Sequence, residues 1–271
     1  MTQTVLITGT STGIGREAAK LFQAKGWNVL ATMRAPESEI ELGKLANVRV
    51  LRLDVTDAAS IADAVAHGIR DFGGIDVLVN NAGFGAYGPL EATSLDTIRK
   101  QFDTNVIGLY AVTKVVLPHM REHKRGTIVN ISSVGGRLAF PLGSLYHGSK
   151  FAVEGLSEAL FYELAAIGIR VKIVEPGMTQ SDFGGRSLAF SHDASIAEYG
   201  PIVSNTTNGF AALSQEPAEA ADVARTIFDA ATDDTARLRY ATGKDAIKLI
   251  DMRRNDDDSV FLARMQKTFS L

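Results

Sequence analysis

Cysteine is absent from this sequence of 271 residues. Its absence excludes disulfide bonds and thiolate metal sites, and it is compatible with a reducing compartment. Long apolar runs are absent too, because none reaches the roughly 20 residues that a membrane-spanning helix needs. Residues 1–4 carry no basic region, and the apolar run behind them is too short for a signal sequence. We therefore expect a cytoplasmic protein without a membrane span.

The sequence also lacks a strong excess of charge of one sign. Its 28 lysines and arginines nearly balance 31 aspartates and glutamates, giving a formal net charge of -3. Interspersed charges of this kind leave no electrostatic footprint for nucleic acid. The five histidines show no spacing typical of metal ligands, and we predict no metal site. With 45% hydrophobic residues the chain can bury a full core, and we expect one domain over residues 1–271.

Short apolar segments alternate with amphipathic segments along the chain. The segments with strand character are residues 5–7, 27–33, 48–53, 75–79, 127–131 and 238–242. The segments with helical periodicity start at residue 14 and include residues 58–72, 95–121, 145–165 and 217–231. This alternation predicts an α/β fold, a doubly wound and mostly parallel Rossmann-type sheet with helices on both faces. A ligand crevice is expected at the carboxyl ends of its strands.

A glycine-rich turn joins the first predicted strand to the first helix. Residues 8–15 read Thr-Gly-Thr-Ser-Thr-Gly-Ile-Gly. Glycines there permit positive φ and let a ligand approach the backbone, while the helix start offers free N–H groups to a pyrophosphate. The spacing differs from the common Gly-x-Gly-x-x-Gly fingerprint, and the Gly-Lys-Ser/Thr ending of a P-loop is missing. A tight turn without a ligand is the alternative.

The end of the second strand has no acidic residue to bind a ribose 2′-hydroxyl. Arg34 stands there instead, and its planar, permanently charged donor fork suits a 2′-phosphate. We therefore predict NADP(H) rather than NAD(H). The alternative is a surface arginine near Glu37, Glu39 and Glu41.

Polar residues follow the next two strands. Asp54 could accept a hydrogen bond from an adenine amino group, and the Asn-Asn-Ala-Gly turn of residues 80–83 could shape the crevice. The simpler interpretation is an acid at a helix N-terminus and a polar turn.

Asn105 lies inside a long helical pattern, although asparagine disfavours helix interiors because its amide competes for backbone hydrogen bonds. It either marks a local break that holds a water or is a satisfied polar group of the core.

Ser133 follows a predicted strand, thirteen residues before Tyr146. Its hydroxyl can therefore point into the crevice.

Tyr146 and Lys150 are four residues apart and share one face of a helix. A cation beside a tyrosine favours the phenolate, and we expect Lys150 to lower the tyrosine pKa by about one to three units. Such a tyrosine could give or take a proton. The alternative is a half-buried aromatic ring beside a solvated charge.

Together, these residues resemble the short-chain dehydrogenase/reductase family over residues 5–179. The resemblance implies a catalytic group formed by Asn105, Ser133, Tyr146 and Lys150. It also implies that Thr179, in a Pro-Gly turn over residues 175–179 that follows a further strand, holds the nicotinamide carboxamide. The implied cofactor residues are Gly9, Ser11, Thr12, Gly13, Ile14, Gly15, Arg34, Asp54, Val55, Asn81, Ala82, Gly83, Tyr146, Lys150, Pro176, Gly177 and Thr179. No role is assigned to Glu175.

The style of the motifs is most similar to the hydroxysteroid and retinol dehydrogenase branch, which implies an apolar small-molecule substrate and a homodimer or homotetramer. Poor periodicity over residues 179–215 predicts a lid without clear secondary structure. His147 and His192 either touch substrate or are ordinary packing and surface histidines. The residues that could line an apolar pocket are Phe140, Leu142, Leu145, Phe183, Leu188 and Phe190.

The leading functional interpretation is an NADP(H)-dependent oxidoreductase that interconverts a carbonyl and a secondary alcohol. The alternative is a catalytically silent NADP(H)-binding regulator or scaffold of the same fold. A hydrolase using Ser133 would need a nucleophile elbow and a histidine-acid pair, which the sequence lacks.

Overall fold

Strands and helices alternate along the chain in the computed structural model, which describes residues 2–180, 185, 187–213 and 216–271. The strands are β1 (Thr4–Thr8), β2 (Asn28–Met33), β3 (Val48–Arg52), β4 (Val77–Asn80), β5 (Gly85–Tyr87), β6 (Gly126–Ile131), β7 (Ile169–Pro176), β8 (Thr179–Gln180), β9 (Leu188–Phe190), β10 (Ala218–Glu219) and β11 (Arg239–Thr242). The helices are α1 (Gly13–Ala24), α2 (Ala58–Phe72), α3 (Leu95–Phe102), α4 (Leu109–His123), α5 (Ser144–Ala165), α6 (Gly200–Leu213), α7 (Ala220–Thr232), α8 (Lys244–Asn255) and α9 (Asp258–Thr268).

The central sheet has the strand order β11-β7-β6-β4-β1-β2-β3, and each neighbouring pair is parallel. The predicted strands of this sheet are confirmed, with bounds displaced by no more than two residues. Chain order runs in opposite directions on the two sides of β1, so a crevice opens between the carboxyl ends of β1 and β4. The doubly wound Rossmann-type fold predicted from the sequence is therefore correct.

Both faces of the sheet are buried by helices. Alternate side chains of a strand point to opposite faces, so Val5 and Ile7 of β1 join the core under α1 and α7, whereas Leu6 joins the core under α2, α4 and α5. On the first face Phe22 packs edge-on against Trp27, with ring centroids 5.1 Å apart. Strands buried on both faces read as nearly continuous apolar runs, which is why the sequence revealed them.

The long helix predicted over residues 95–121 is interrupted. A π-helical turn over Asp103–Gly108 separates α3 from α4, and Asn105 lies within it. A local break is one of the two alternatives for Asn105, and the π-helical turn is such a break. A Cβ on Gly108 would lie 2.8 Å from the Cβ of Val55, so the absence of a side chain there lets this turn approach the end of β3.

The expectation of little regular structure over residues 179–215 is wrong for the part that the structure describes. β8 and β10 pair in parallel and bring Met178 and Ala218 together, β9 pairs with β5, and α6 spans fourteen residues. Apolar periodicity could not reveal α6, because its only described buried residues are Thr206 and Gly209.

The start of the helix predicted at residue 217 also needs correction. Ala218 and Glu219 belong to β10, and α7 begins at Ala220 behind a capping box formed by Glu219 and Asp222. Across the described ranges of the chain, no helix is both long and apolar enough to cross a membrane.

Candidate active site

A cavity of about 870 Å³ opens at the carboxyl ends of the central strands. It is lined by most of the residues predicted to bind cofactor or to catalyse a reaction, namely Gly9, Ser11, Thr12, Gly13, Ile14, Arg34, Asp54, Val55, Asn81, Ala82, Gly83, Ser133, Tyr146, Lys150, Pro176, Gly177 and Thr179. Gly15 and Asn105 are not part of its lining. The structure therefore brings the two groups of predicted residues to one crevice.

The glycine turn places the start of α1 at this cavity. Gly9 and Gly13 adopt φ values of 73° and 58°, which favour glycine. Thr12 is the extended residue before the helix, and it forms no side-chain cap hydrogen bond. The first N–H groups of α1 therefore face the cavity without a side-chain acceptor from Thr12, which is the arrangement that binds phosphate at helix N-termini.

Gly15 does not line the cavity but allows the glycine turn to pack closely. A Cβ on Gly15 would collide with the Asn81 side-chain amide and the Gly9 carbonyl oxygen. The Asn81 amide nitrogen donates to the carbonyl oxygens of Thr8 and Gly9 at 2.9 and 3.0 Å. Gly15 is thus required for close contact between the glycine turn and the turn after β4.

Arg34 lies at the opposite end of the cavity from Tyr146 and is exposed. The nearby glutamates do not neutralise it, because Glu39 and Glu41 bind Arg16 at 2.5 and 2.7 Å. The hydrogen bond from Arg16 lowers the pKa of Glu39 to about 2. No side chain in the described part of the chain pairs with Arg34, so its guanidinium is available to a ligand. Sequence reasoning missed Arg16, because only the folded loop brings it to Glu39.

The carboxylate of Asp54 shapes the loop after β3. Its Oδ1 accepts hydrogen bonds from the backbone and the hydroxyl of Thr56 at 2.9 and 2.8 Å. The helix-capping role weighed for Asp54 belongs to Asp57, whose carboxylate accepts from the N–H groups of Ala59 and Ser60 at the start of α2. Asp54 remains at the cavity wall.

Asn105 is a satisfied polar group of the core, one of the two roles weighed for it. Its Oδ1 accepts from the Phe84 N–H at 3.0 Å, and its Nδ2 donates to the Phe84 carbonyl at 2.8 Å and to the Ser149 hydroxyl at 3.2 Å. Only 3% of the residue is exposed. A role in holding a water stays a prediction.

Ser133, Tyr146 and Lys150 converge at one end of the cavity. The Ser133 side chain hydrogen-bonds Tyr146, and its oxygen also accepts from the Gly135 N–H at 3.0 Å. Because α5 carries Tyr146 and Lys150 on one face, the Lys150 ammonium lies 5.8 Å from the centroid of the tyrosine ring. This ammonium donates to the Ile131 carbonyl at 2.8 Å.

The expected net lowering of the Tyr146 pKa is wrong, because the pKa is raised. Burial raises the pKa of Tyr146, and the hydrogen bond from Ser133 opposes this change. Burial also lowers the pKa of Lys150 to about 8, while the charge of Glu154 raises it. Removal from water disfavours both charged forms, and in this apolar site that cost exceeds the attraction predicted from the helix spacing.

His147 is a packing histidine that also lines the cavity, so contact with substrate stays a prediction. Its Nε2 accepts from the Phe140 N–H at 3.0 Å, which leaves Nδ1 to donate to the Gly135 carbonyl at 2.9 Å. Burial lowers the pKa of His147, which keeps the ring neutral as this geometry requires. His192 is exposed and does not line the cavity.

An aromatic wall borders Tyr146. Tyr87 packs on Tyr146 with ring centroids 5.5 Å apart, and Phe210 of α6 packs on Tyr87 at 6.1 Å. Sequence reasoning missed Tyr87, although its place just after the residue 80–83 turn was a usable signal. Of the predicted apolar lining, Phe140 and Leu188 are at the cavity wall. The structure does not place Leu142, Leu145 and Phe190 there, and Phe183 lies outside the described residues.

The turn after β7 is hydrogen-bonded to the carboxylate of Asp245. The Met178 N–H donates to Asp245 Oδ2 at 2.6 Å, and a Cβ on Gly177 would collide with the same carboxylate. Thr179 Oγ1 donates to the Gly177 carbonyl at 3.1 Å. The turn is therefore fixed at the cavity, where its backbone and Thr179 can meet a ligand.

The profile of the short chain dehydrogenase family matches residues 3–189 of this chain. The chain belongs to the short-chain dehydrogenase family. A solved short-chain dehydrogenase of Streptomyces avermitilis is 36% identical, with a TM-score of 0.83 over 99% of this chain and 97% of its own. ElxO, solved with NADP bound, is 31% identical, with a TM-score of 0.74 over 89% of this chain and 98% of its own. A 3-ketodihydrosphingosine reductase of Bacteroides thetaiotaomicron is 43% identical over 181 residues, which are 67% of this chain and 65% of the relative.

As a short-chain dehydrogenase, the protein is an oxidoreductase that uses a nicotinamide cofactor on a small-molecule substrate. The cavity fits such a dinucleotide. The start of α1 and the open backbone at Gly9 and Gly13 suit the pyrophosphate, Arg34 suits the adenosine end, and Tyr146 lies at the other end.

Proposed function

We propose that this short-chain dehydrogenase is an NADP(H)-dependent enzyme that interconverts a carbonyl and a secondary alcohol, with Tyr146 as the general acid and base. The observation that carries the proposal is the half-buried Tyr146, hydrogen-bonded by Ser133 and flanked by the Lys150 ammonium in one cavity. A proton donor, an orienting hydroxyl and a cation are the groups that carbonyl reduction requires.

In the reductive direction Tyr146 donates its proton to the carbonyl oxygen. Burial raises the pKa of Tyr146, so the hydroxyl is protonated and ready to donate at neutral pH. Ser133 orients the substrate oxygen, and the Lys150 ammonium stabilises the phenolate that Tyr146 becomes. The bound nicotinamide supplies the hydride in this direction and accepts it in the other. In oxidation Tyr146 takes the alcohol proton.

We retain Asn105 in the proposed catalytic group as support for a water path that returns a proton to the site. Its amide binds the Ser149 hydroxyl, which donates to the Tyr146 carbonyl at 2.7 Å. Asn105 is thus linked to the backbone of the catalytic helix.

The experiment is the Tyr146→Phe variant, assayed with NADPH across steroids, retinoids, aliphatic ketones and quinones. We expect turnover to fall by at least 10² to 10⁴-fold, with NADPH binding retained in a fluorescence titration. Tyr162→Phe is the matched control, because Tyr162 is 68% exposed and far from the cavity lining. Retained turnover in Tyr146→Phe would refute the assignment. NADPH binding by the wild type without turnover on any carbonyl would favour the regulator instead.

The preference for NADP(H) is proposed from Arg34, whose guanidinium no described side chain neutralises. Hydrogen bonds to charged groups contribute about 1.5 to 3 kcal/mol, so Arg34→Ala should weaken NADPH binding roughly tenfold to a hundredfold and leave NADH binding unchanged. Arg254→Ala, on the exposed surface of α8, is the control. Equal wild-type affinity for both cofactors would contradict this preference.

An apolar substrate is proposed from the cavity wall beside Tyr146. That wall is formed by Tyr87, Phe140 and Leu188. A relative named for 3-ketodihydrosphingosine reduction supports the same class of substrate. Within the panel we therefore expect steroids, retinoids and long-chain ketones to give higher kcat/KM than small polar carbonyls.

We also propose a cytoplasmic homodimer or homotetramer. Leu95, Ile107 and Phe151 expose 66%, 59% and 47% of their surface on α3, the π-helical turn and α5. Exposed apolar side chains on adjacent elements favour an interface there. Light scattering after gel filtration tests it, and a monomer at micromolar concentration would contradict it.

A further inference from the structure

Two acidic side chains are buried near Lys150, one on α5 itself and one on β7, and the proposed mechanism uses neither. Glu154 lies on α5 one turn beyond Lys150 and is 5% exposed. Glu175 lies at the end of β7 and is 2% exposed. Carboxylates are almost never this deeply buried unless they are paired, so their place needs a reason.

Two arginines hold these acids, and we refer to Glu154, Glu175, Arg137 and Arg239 as the acid layer. Arg239 Nε binds Glu154 Oε2 at 2.9 Å and lies 3.6 Å from Glu175 Oε1. Arg137 binds Glu175 Oε1 at 2.8 Å. Arg239 also reaches Glu158 at 2.5 Å, near the surface of α5. The acid layer therefore begins at the protein surface and ends under the active site.

Glu154 follows Lys150 by four residues on α5, so the two buried side chains lie on the same face of this helix. A Cβ on Gly136 would lie 2.9 Å from Glu154 Cγ and 3.1 Å from the Lys150 backbone carbonyl oxygen, so the absence of a side chain at Gly136 lets its loop pack closely on this face of α5. The charged groups that face Glu154 are Lys150 and Glu158 from α5, Glu175 from β7, Arg239 from β11 and Arg137 from the loop after Gly136.

Burial alone makes a neutral amine the favoured form of Lys150 inside this site. The charge of Glu154 opposes that effect and raises the pKa of Lys150, which is still only about 8. Burial and the neighbouring Glu175 raise the pKa of Glu154 to about 7, while Arg239 lowers it. The charge of Glu154 thus favours the ammonium form of Lys150, and Arg239 favours the ionised form of Glu154.

We propose that Glu154 is a positioning residue that keeps the Lys150 ammonium charged in the active site, with Arg239 holding the Glu154 carboxylate in place. This proposal rests on the proposed function of Lys150 as the cation beside Tyr146. A merely structural Glu154 would affect folding stability but would leave the titration of Lys150 unchanged.

The test is Glu154→Gln, which keeps the size of the side chain and removes its charge. We expect the alkaline limb of kcat/KM for carbonyl reduction to move down by about one pH unit, the size of shift that loss of a neighbouring opposite charge produces. Glu158→Gln is the matched control, because Glu158 binds the same arginine but its side chain is 47% exposed. We expect no such movement in the control.

A second readout needs no turnover. In protein labelled with ¹³C-lysine, the Lys150 ε-carbon signal, assigned by its loss in Lys150→Met, reports the protonation of this amine as pH is varied. Glu154→Gln should move its midpoint down by about one unit. An unchanged midpoint overturns the proposal, whether or not the protein turns over a carbonyl. A moved midpoint in a protein without turnover would uphold the effect of Glu154 and count against the proposed function alone.

Glu154→Asp keeps the test valid if Glu154→Gln does not fold. The shorter side chain retains the charge and withdraws it from Lys150 by one methylene. We expect the Lys150 midpoint in Glu154→Asp to lie below that of wild type by less than one pH unit. A midpoint equal to that of wild type would argue against the proposal.

Discussion

Lys150 should make the folded protein less stable at neutral pH, even though the proposed mechanism needs it. Burial lowers its pKa from 10.5 to about 8, and a tenfold change in an ionisation constant corresponds to about 1.4 kcal/mol. Charging Lys150 therefore costs the folded state about 3 kcal/mol relative to the unfolded chain. Lys150 is 8% exposed, so solvent screening reduces this cost little.

The sign follows from the lowered pKa. The stability contribution of Lys150 is fully present above pH 10.5 and is lost as the pH falls through about 8. Lys150→Met keeps the length of the side chain and cannot be protonated. The stability of this variant relative to wild type should thus increase by about 2 to 3 kcal/mol from pH 10 to pH 7, while carbonyl reduction is lost.

Urea unfolding of both proteins at the two pH values measures this difference. The hydrogen bond to Ile131 is missing from the variant at both pH values, so it contributes little to the change. Lys244→Met is the control, because Lys244 is exposed and its pKa is raised by Glu216, so no gain in relative stability is expected as the pH falls. A difference between Lys150→Met and wild type that does not vary with pH would refute the reasoning.

Three further predictions follow from contacts around the cavity. Burial lowers the pKa of His147, so its contribution to stability is present above about pH 6.5 and is lost in acid, when protonation breaks the hydrogen bond from Phe140. Acid unfolding of wild type and His147→Gln measures this loss, and parallel acid transitions of the two proteins would contradict it. Because the pKa of Tyr146 is raised, the rate of alcohol oxidation should increase with pH well beyond neutrality, whereas carbonyl reduction is already maximal at neutral pH. Initial rates in both directions test this, and an oxidation rate independent of pH would contradict it. Gly15→Ala should destabilise the fold by about 1 to 3 kcal/mol and abolish NADPH binding, because its methyl group collides with Asn81; denaturant melts and cofactor titration decide.

The sheet could be predicted from the sequence because its strands are buried on both faces and read as short apolar runs. Residues at the ends of such strands must meet at one edge, so strand ends alone were enough to assign Arg34, Ser133 and the glycine turn to one crevice. Helix α6 escaped prediction because it buries only two described residues and thus shows no apolar period.

The electrostatic state of the site could not be predicted. The spacing of Tyr146 and Lys150 shows that the two side chains meet, but it does not show how completely water is removed from them. That degree of burial reverses the expected direction of the tyrosine pKa. The pairing of Arg16 with Glu39, 23 residues later, likewise depends on the path of a loop.

The pairing of β8 with β10 joins the two ends of the segment between residues 179 and 219. The Ala218 N–H donates to the Met178 carbonyl at 2.9 Å, so the chain leaves the Rossmann core and re-enters it at neighbouring points. A segment whose ends are already held together adds little closure entropy when its length changes. Changes in the length of this segment should accordingly cost the central sheet little stability.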